Sequence, residues 1–208
     1  FNEKLSSKDK NQHITIEKQK GIESASLPTK EAEGKKLPKF KFNELPNISF
    51  SPSLESAKKA KKLADLANTV EELRDIVFNF DECPLKATAT NTVFADGIRD
   101  AKIMLIGEAP GANEDKYGIP FCGESGELLN NMLETINLSR KKNVYISNVI
   151  FWRPPGNRTP TVQEVETCRA FTEKHIALIK PEILILVGST AATALLGNHV
   201  QISKIRQE

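Results

Sequence analysis

At 208 residues the chain has room for one domain of ordinary size plus an appendage, which excludes a large multidomain machine. Apolar residues make up 39%, below the roughly 45–50% usual for packed domains, so part of the chain is expected to lie outside any core. The net charge is +2, but residues 1–41 hold ten Lys against five Glu and one Asp, a local +4 that leaves the remainder at −2. Net charge therefore argues for no partner, and any nucleic-acid surface must be a local patch.

The longest apolar stretches, such as Ile183–Val187, fall far short of the ~20 residues that span a bilayer, and no apolar signal region opens the chain. Cys83, Cys122 and Cys168 are a sparse, odd set that fits a reducing cytoplasm better than a disulfide scaffold. The expected protein is cytoplasmic and has no membrane partner. The chain starts at Phe1 rather than Met and stops in the apolar alternation Ile202–Glu208, which reads as a piece of a longer protein.

Residues 1–52 mix Lys, Glu, Ser and Asn with Pro28, Pro38, Pro46 and Pro52 and keep no sustained period, so a disordered basic tail is expected there. A folded domain is expected over residues 53–208. From Leu54 the spacing is helical, with Leu54, Ala57, Leu63, Leu66 and Ala67 on one side. Thr69-x-x-Glu72 reads as a capping box opening a second helix through Phe80. The run Thr92–Ala95, broken by Asp96-Gly97, predicts a hairpin or edge strand.

An alternation follows: strand Ile103–Ile106, a Gly/Pro loop, a helix near Ser125–Ile136, strand Val144–Ile150, a Pro-rich loop, a helix capped by Thr161-x-x-Glu164, strand Ile183–Val187, and helix Thr190–Leu196 closed by Gly197. Apolar strands alternating with helices predict an α/β fold with a central, mainly parallel sheet covered on both faces. Sites in such sheets lie at the carboxyl ends of the strands, which selects three loops: Gly107–Asp115, Asn148–Arg158 and Gly188–Thr190.

The loop Gly107-Glu108-Ala109-Pro110-Gly111-Ala112-Asn113-Glu114-Asp115 lacks the Gly-Lys-Ser/Thr of a P-loop and the spacing of a dinucleotide fingerprint, which disfavours nucleoside triphosphate binding. Taken alone, Glu108 is a solvated loop acid. Asn148 closes its strand, where an amide can accept one hydrogen bond and donate another to a planar heterocycle, or serve as a strand cap. In Trp152-Arg153-Pro154-Pro155-Gly156-Asn157-Arg158 the prolines fix an extended loop, and two arginines offer phosphate-binding forks or decorate a rigid surface turn.

Together these pieces are more specific than any one of them. Gly107-Glu108-Ala109-Pro110-Gly111, then Pro120-Phe121-x-Gly123-x-x-Gly126-x-Leu128-Leu129, then Asn148 with Arg153-Pro154-Pro155-x-Asn157-Arg158, then Glu164-Val165-x-x-Cys168, resemble the family 4 uracil-DNA glycosylases in order and spacing over about residues 70–206. The resemblance implies a three-layer α/β/α sandwich. It also implies roles: Gly107, Ala109, Pro110 and Gly111 in the turn against a flipped uracil, Glu108 holding or activating the attacking water, and Phe121 stacking on the pyrimidine. Asn148 would read the base edge, Glu114 would crowd the position of thymine's methyl, and Arg153 and Arg158 would meet phosphates.

Two departures stand out. The family binds a [4Fe–4S] cluster through four cysteines, and the matching positions here are Phe80, Cys83, Trp152 and Cys168. A four-iron cluster needs four ligands, so no cofactor is expected: the two aromatics should fill the volume, with Cys83 and Cys168 as buried thiols and Cys122 as core. The family's His-Pro-Ser type segment also matches nothing, since His13, His175 and His199 precede no proline. That segment, and with it a C-terminal strand, is expected beyond Glu208.

The implied function is hydrolytic removal of uracil from DNA by a monomeric base-excision glycosylase. The alternative is a uracil- or abasic-DNA-binding module with little catalysis, part of a longer repair or polymerase-associated protein. A weaker third reading is a nucleotide-binding α/β domain unrelated to DNA.

Overall fold

A computed structural model describes residues 54–197. The expected tail, the tail–domain boundary at residue 52, His13, His199 and the approach to a C-terminal strand lie outside these residues. Helix α1 spans Leu54–Leu66 and α2 Val70–Phe78. Thr69 caps α2 as its spacing predicts, accepting from the Glu72 N–H at 3.1 Å, but the Glu72 carboxylate reaches back one residue further, to the Asn68 N–H at 2.6 Å.

The sheet contains β1 (Ala95–Gly97), β2 (Ile103–Gly107), β3 (Val144–Asn148) and β4 (Ile183–Leu186) in the order β1-β3-β2-β4. β2 pairs in parallel with β3 and β4, while β1 runs antiparallel to β3 at the edge. Between them lie α3 (Ala112–Tyr117) and α4 (Glu124–Glu134), then α5 (Val162–Ile179) and α6 (Ser189–Leu196).

Alternation along the strands separates two cores. Leu105, Val144 and Ile146 meet Leu133 of α4 on one face of the sheet, and Met104, Ile106 and Tyr145 join the apolar faces of α1, α2, α5 and α6 on the other. The described residues thus form the α/β/α layering expected from the sequence.

Several boundaries differ from the sequence reading: α2, expected through Phe80, ends at Phe78, and β4, expected through Val187, ends at Leu186. The edge strand is Ala95–Gly97, not Thr92–Ala95: Val93 donates to the Phe151 carbonyl at 2.8 Å and Ser147 Oγ to that of Phe94 at 2.7 Å, so that run is extended without joining the ladder. α3 occupies what reads as loop, because Ala112–Tyr117 carries no apolar period, and α4 stops at Glu134. β3 ends at Asn148, although Val149 and Ile150 still donate to the carbonyls of Gly107 and Glu108 at 2.9 and 3.0 Å. Among the described residues no helix is long and apolar enough to cross a membrane.

The larger core holds one ionisable group that charge would disrupt. His175 on α5 is fully buried, stacked 4.4 Å from Phe94, with Nε2 at 2.9 Å from the Tyr145 hydroxyl and Nδ1 without a partner. Burial lowers its pKa to about 3, against about 6.5 in an unfolded chain. The unfolded state therefore takes the proton first: this stability is intact above the unfolded value and drains away as pH falls toward the folded one. The slope reaches about 1.4 kcal/mol per pH unit. Thermal unfolding of His175→Gln should consequently show a shallower loss of Tm between roughly pH 6.5 and 4 than the wild type. Parallel curves would show that His175 does not carry the acid sensitivity.

Candidate active site

The in-register pairing of β2 with β3 sets Gly107 directly beside Asn148, both at the carboxyl ends of their strands. The chain leaves β2 through Glu108, Ala109 and Pro110, pinned by the hydrogen bonds that Val149 and Ile150 give to Gly107 and Glu108. Phe121 arrives from the segment between α3 and α4. A Cβ added at Gly107 would lie 2.5 Å from Asn148 Oδ1 and 2.5 Å from Phe121 Cζ, so ring, amide and bare backbone meet at one point. A side chain there would have to push the ring or the amide aside. Asn148 is 2% exposed, with its Oδ1 against the Gly107 backbone.

Glu108 is half-buried, and its Oε2 accepts from Thr190 Oγ1 at 2.5 Å. Thr190 is the second residue of α6 and belongs to the third loop selected from the sequence, yet its partner lies 82 positions away and no local signal announces the pairing. The structure therefore brings Gly107, Phe121 and Asn148 together, with Glu108 next in the chain and held by Thr190.

Glu114 is engaged by backbone. Its Oε2 accepts from the Gly111 N–H at 3.1 Å, and its Oε1 from the N–H groups of Cys122 and Gly123 at 2.9 and 2.8 Å. The carboxylate thus joins the turn after β2 to the segment that carries Phe121. Cys122, expected in the core, is half-buried beside that segment because its chain position is set by this clamp; burial and the nearby Glu114 push its thiol up.

The Pro-rich loop is ordered by its own side chains. Arg153 Nε donates to Asn157 Oδ1 at 2.7 Å. Arg158 makes a bidentate pair with Glu164 at 2.9 and 2.6 Å, and that guanidinium holds the Glu164 carboxyl below the usual carboxylate range. Its fork is occupied, so a phosphate would have to compete with Glu164 for it.

The four positions that match the cluster cysteines come together beneath this loop. Phe80 and Trp152 are buried, 6.5 Å apart and near parallel, Phe80 meets Phe171 edge-on at 4.9 Å, and Trp152 Nε1 donates to Thr92 Oγ1 at 2.9 Å. Cys83 and Cys168 lie side by side in the same core; the Cys83 thiol and burial push the Cys168 thiol well up. Two thiols and two packed rings do not supply the four thiolates that such a cluster takes. Among the described residues no group of three or more His, Cys, Asp or Glu is placed to hold a metal ion.

Comparison with known proteins bears on this geometry. Residues 94–207 match the family model of the uracil DNA glycosylase superfamily. A type-4 uracil-DNA glycosylase of Thermotoga maritima is 41% identical over 143 residues, covering 66% of this chain and 74% of that protein. One of Archaeoglobus fulgidus is 43% identical over 126 residues, 59% of this chain and 63% of its own length, and one of Pyrobaculum aerophilum is 39% identical over 127, 61% and 64%. The chain spans about two thirds of the length of these relatives. The matched stretch contains every residue that meets at Gly107, and on these grounds the chain belongs to the uracil-DNA glycosylase superfamily, in its type-4 family.

Proposed function

We propose that the chain recognises uracil flipped out of DNA and hydrolyses its N-glycosidic bond. The observation that carries this reading is the convergence of Phe121, Asn148 and bare Gly107 backbone at the strand ends. A π-face, an amide and a floor without a side chain suit a flat, polar-edged heterocycle. Phe121 stacks on the pyrimidine. Asn148 reads its edge: uracil offers an N3–H donor and an O4 acceptor, whereas cytosine offers the reverse, so an amide fixed in one orientation matches only the first. Ala109, Pro110 and Gly111 line the turn against the base, and Glu114, besides holding the loops, stands toward the position of a thymine methyl.

Extrusion costs a few kcal/mol of unstacking, offset by the pocket and by Arg153, with Arg158 available to phosphate where Glu164 yields it. Glu108 orients the water through Oε1, its Oε2 being held by Thr190. The water oxygen attacks C1′, Glu108 takes a proton from it, and the C1′–N1 bond breaks with its electron pair passing to uracil, which later takes a proton from solvent. The carboxylate also faces the positive charge that grows on the sugar.

The same reading includes no iron–sulfur cluster, the aromatic pair at Phe80 and Trp152 supporting it, and a monomer in a reducing compartment, which the free thiols suit.

Base selection offers the direct test. Asn148→Asp removes the NH₂ donor to O4, so uracil recognition should weaken by about 1–3 kcal/mol with a relative gain for cytosine. Phe121→Ala should weaken both bases alike, because every base has a π-face. Equal loss for both bases in Asn148→Asp, or no change, would reduce Asn148 to a strand cap. For the cluster, protein purified without oxygen should contain no stoichiometric iron and sulfide and show no visible thiolate-to-iron band. Its presence would mean that the ligands come from elsewhere in the chain.

A further inference from the structure

We infer that Arg140, braced by Asp96, is a positioning residue for base recognition: it holds the turn at Phe121 in the conformation that presents the ring over Gly107 and Asn148. The inference rests on the reading of Phe121 as the stacking surface proposed above. Phe121 has φ +51°, a left-handed conformation that any residue with a Cβ adopts at a cost, and a bulky one rarely. Such a residue persists only where its surroundings over-determine it.

The surroundings here are specific. Arg140 Nη2 donates to the Phe121 carbonyl at 2.7 Å and Nη1 to that of Pro120 at 2.8 Å, so one guanidinium takes two successive carbonyls. Nη1 also reaches Asp96 Oδ2 on β1 at 3.0 Å, and Nε donates to Asn130 Oδ1 on α4 at 3.0 Å. The Arg140 side chain is 13% exposed. A charge so enclosed is tolerable because its donors are matched.

The other side of the turn is closed by different means. Glu114 takes the N–H groups of Cys122 and Gly123, and a Cβ on Gly126 would strike the Phe121 carbonyl. A planar fork can span two carbonyls and a carboxylate at once, whereas an ammonium on a flexible stem cannot fix the same geometry. Every group that Arg140 contacts belongs either to the Phe121 turn or to an element that anchors the guanidinium. That arrangement points to orientation of the ring.

The test compares binding of the full chain to two duplexes, one carrying 2′-fluoro-2′-deoxyuridine, whose glycosidic bond resists hydrolysis, and one carrying a tetrahydrofuran abasic analogue. Wild type should prefer the uracil duplex. Arg140→Lys should lose on the order of tenfold on that duplex, the scale of one base–aromatic stack, and leave the abasic duplex unchanged. Adding Phe121→Ala should cost little more, since the two residues act as one unit.

Equal losses on both duplexes, retained preference, or losses that add fully with Phe121→Ala would overturn the inference. Where Arg140→Lys does not fold, Asp96→Asn decides: it leaves the guanidinium in place but unbraced, and should show the same selective loss, whereas wild-type preference would overturn the claim. A wild type with no preference for the uracil duplex would overturn the reading of Phe121 itself, and this inference with it.

Discussion

Everything at the site depends on one close approach. The Gly107 backbone touches both the Phe121 ring and the Asn148 amide, with no room for even one more carbon. The parallel register of β2 and β3 creates half of it by seating Gly107 opposite Asn148. The other half requires a segment from beyond α3 to deliver an aromatic ring at the same height. Interiors are packed too densely to absorb such a contact by drift, so the position of each partner has to be secured separately.

The structure secures them with polar groups placed at the turns. Val149 and Ile150 continue the β3 hydrogen bonding and fix the carbonyls of Gly107 and Glu108. Glu114 ties the turn after β2 to the segment around Cys122 and Gly123, Asp115 accepts from the N–H groups of Thr90 and Asn91, and Thr190 holds one oxygen of Glu108. Below the Pro-rich loop, the Phe80–Trp152–Phe171 packing supplies rigidity by dispersion and apolar burial. Two different means of support thus converge on one site: directional bonds where geometry is exacting, and close packing where only volume has to be filled.

The layers and strands were legible because apolar period reports burial directly. Met104–Ile106 and Val144–Asn148 are buried as their apolar runs predict, whereas β4 leaves Ile183 and Ile185 exposed, so its outer face is not covered among the described residues. The edge strand was misplaced by two or three residues because Thr92–Phe94 has strand chemistry but bonds to loop and side-chain groups. α3 was invisible because Ala112–Tyr117 carries no apolar period and owes its start to a carboxylate on the Gly111 N–H. Of the candidate site residues, Gly107, Phe121 and Asn148, which meet in space, all stand in the sequence motifs. The contacts of Thr190 with Glu108 and of Arg140 with Phe121 could not be read, since the partners lie 82 and 19 positions apart in the chain. The bidentate grip of Glu164 on Arg158 is local, six residues apart, but the Thr161-x-x-Glu164 cap already gave that carboxylate a role and masked the second one.

The measurement that bears most directly on the whole account is single-turnover release of free uracil from a uracil-containing oligonucleotide by the wild type and by Gly107→Ala, with Tm recorded for both. One added methyl group should cost about 1–3 kcal/mol in overpacking and leave the protein folded. It would nonetheless displace Phe121 or Asn148, so the account predicts uracil release by the wild type and its near abolition in the variant. Release by Gly107→Ala at the wild-type rate, or no release by the wild type, would contradict it.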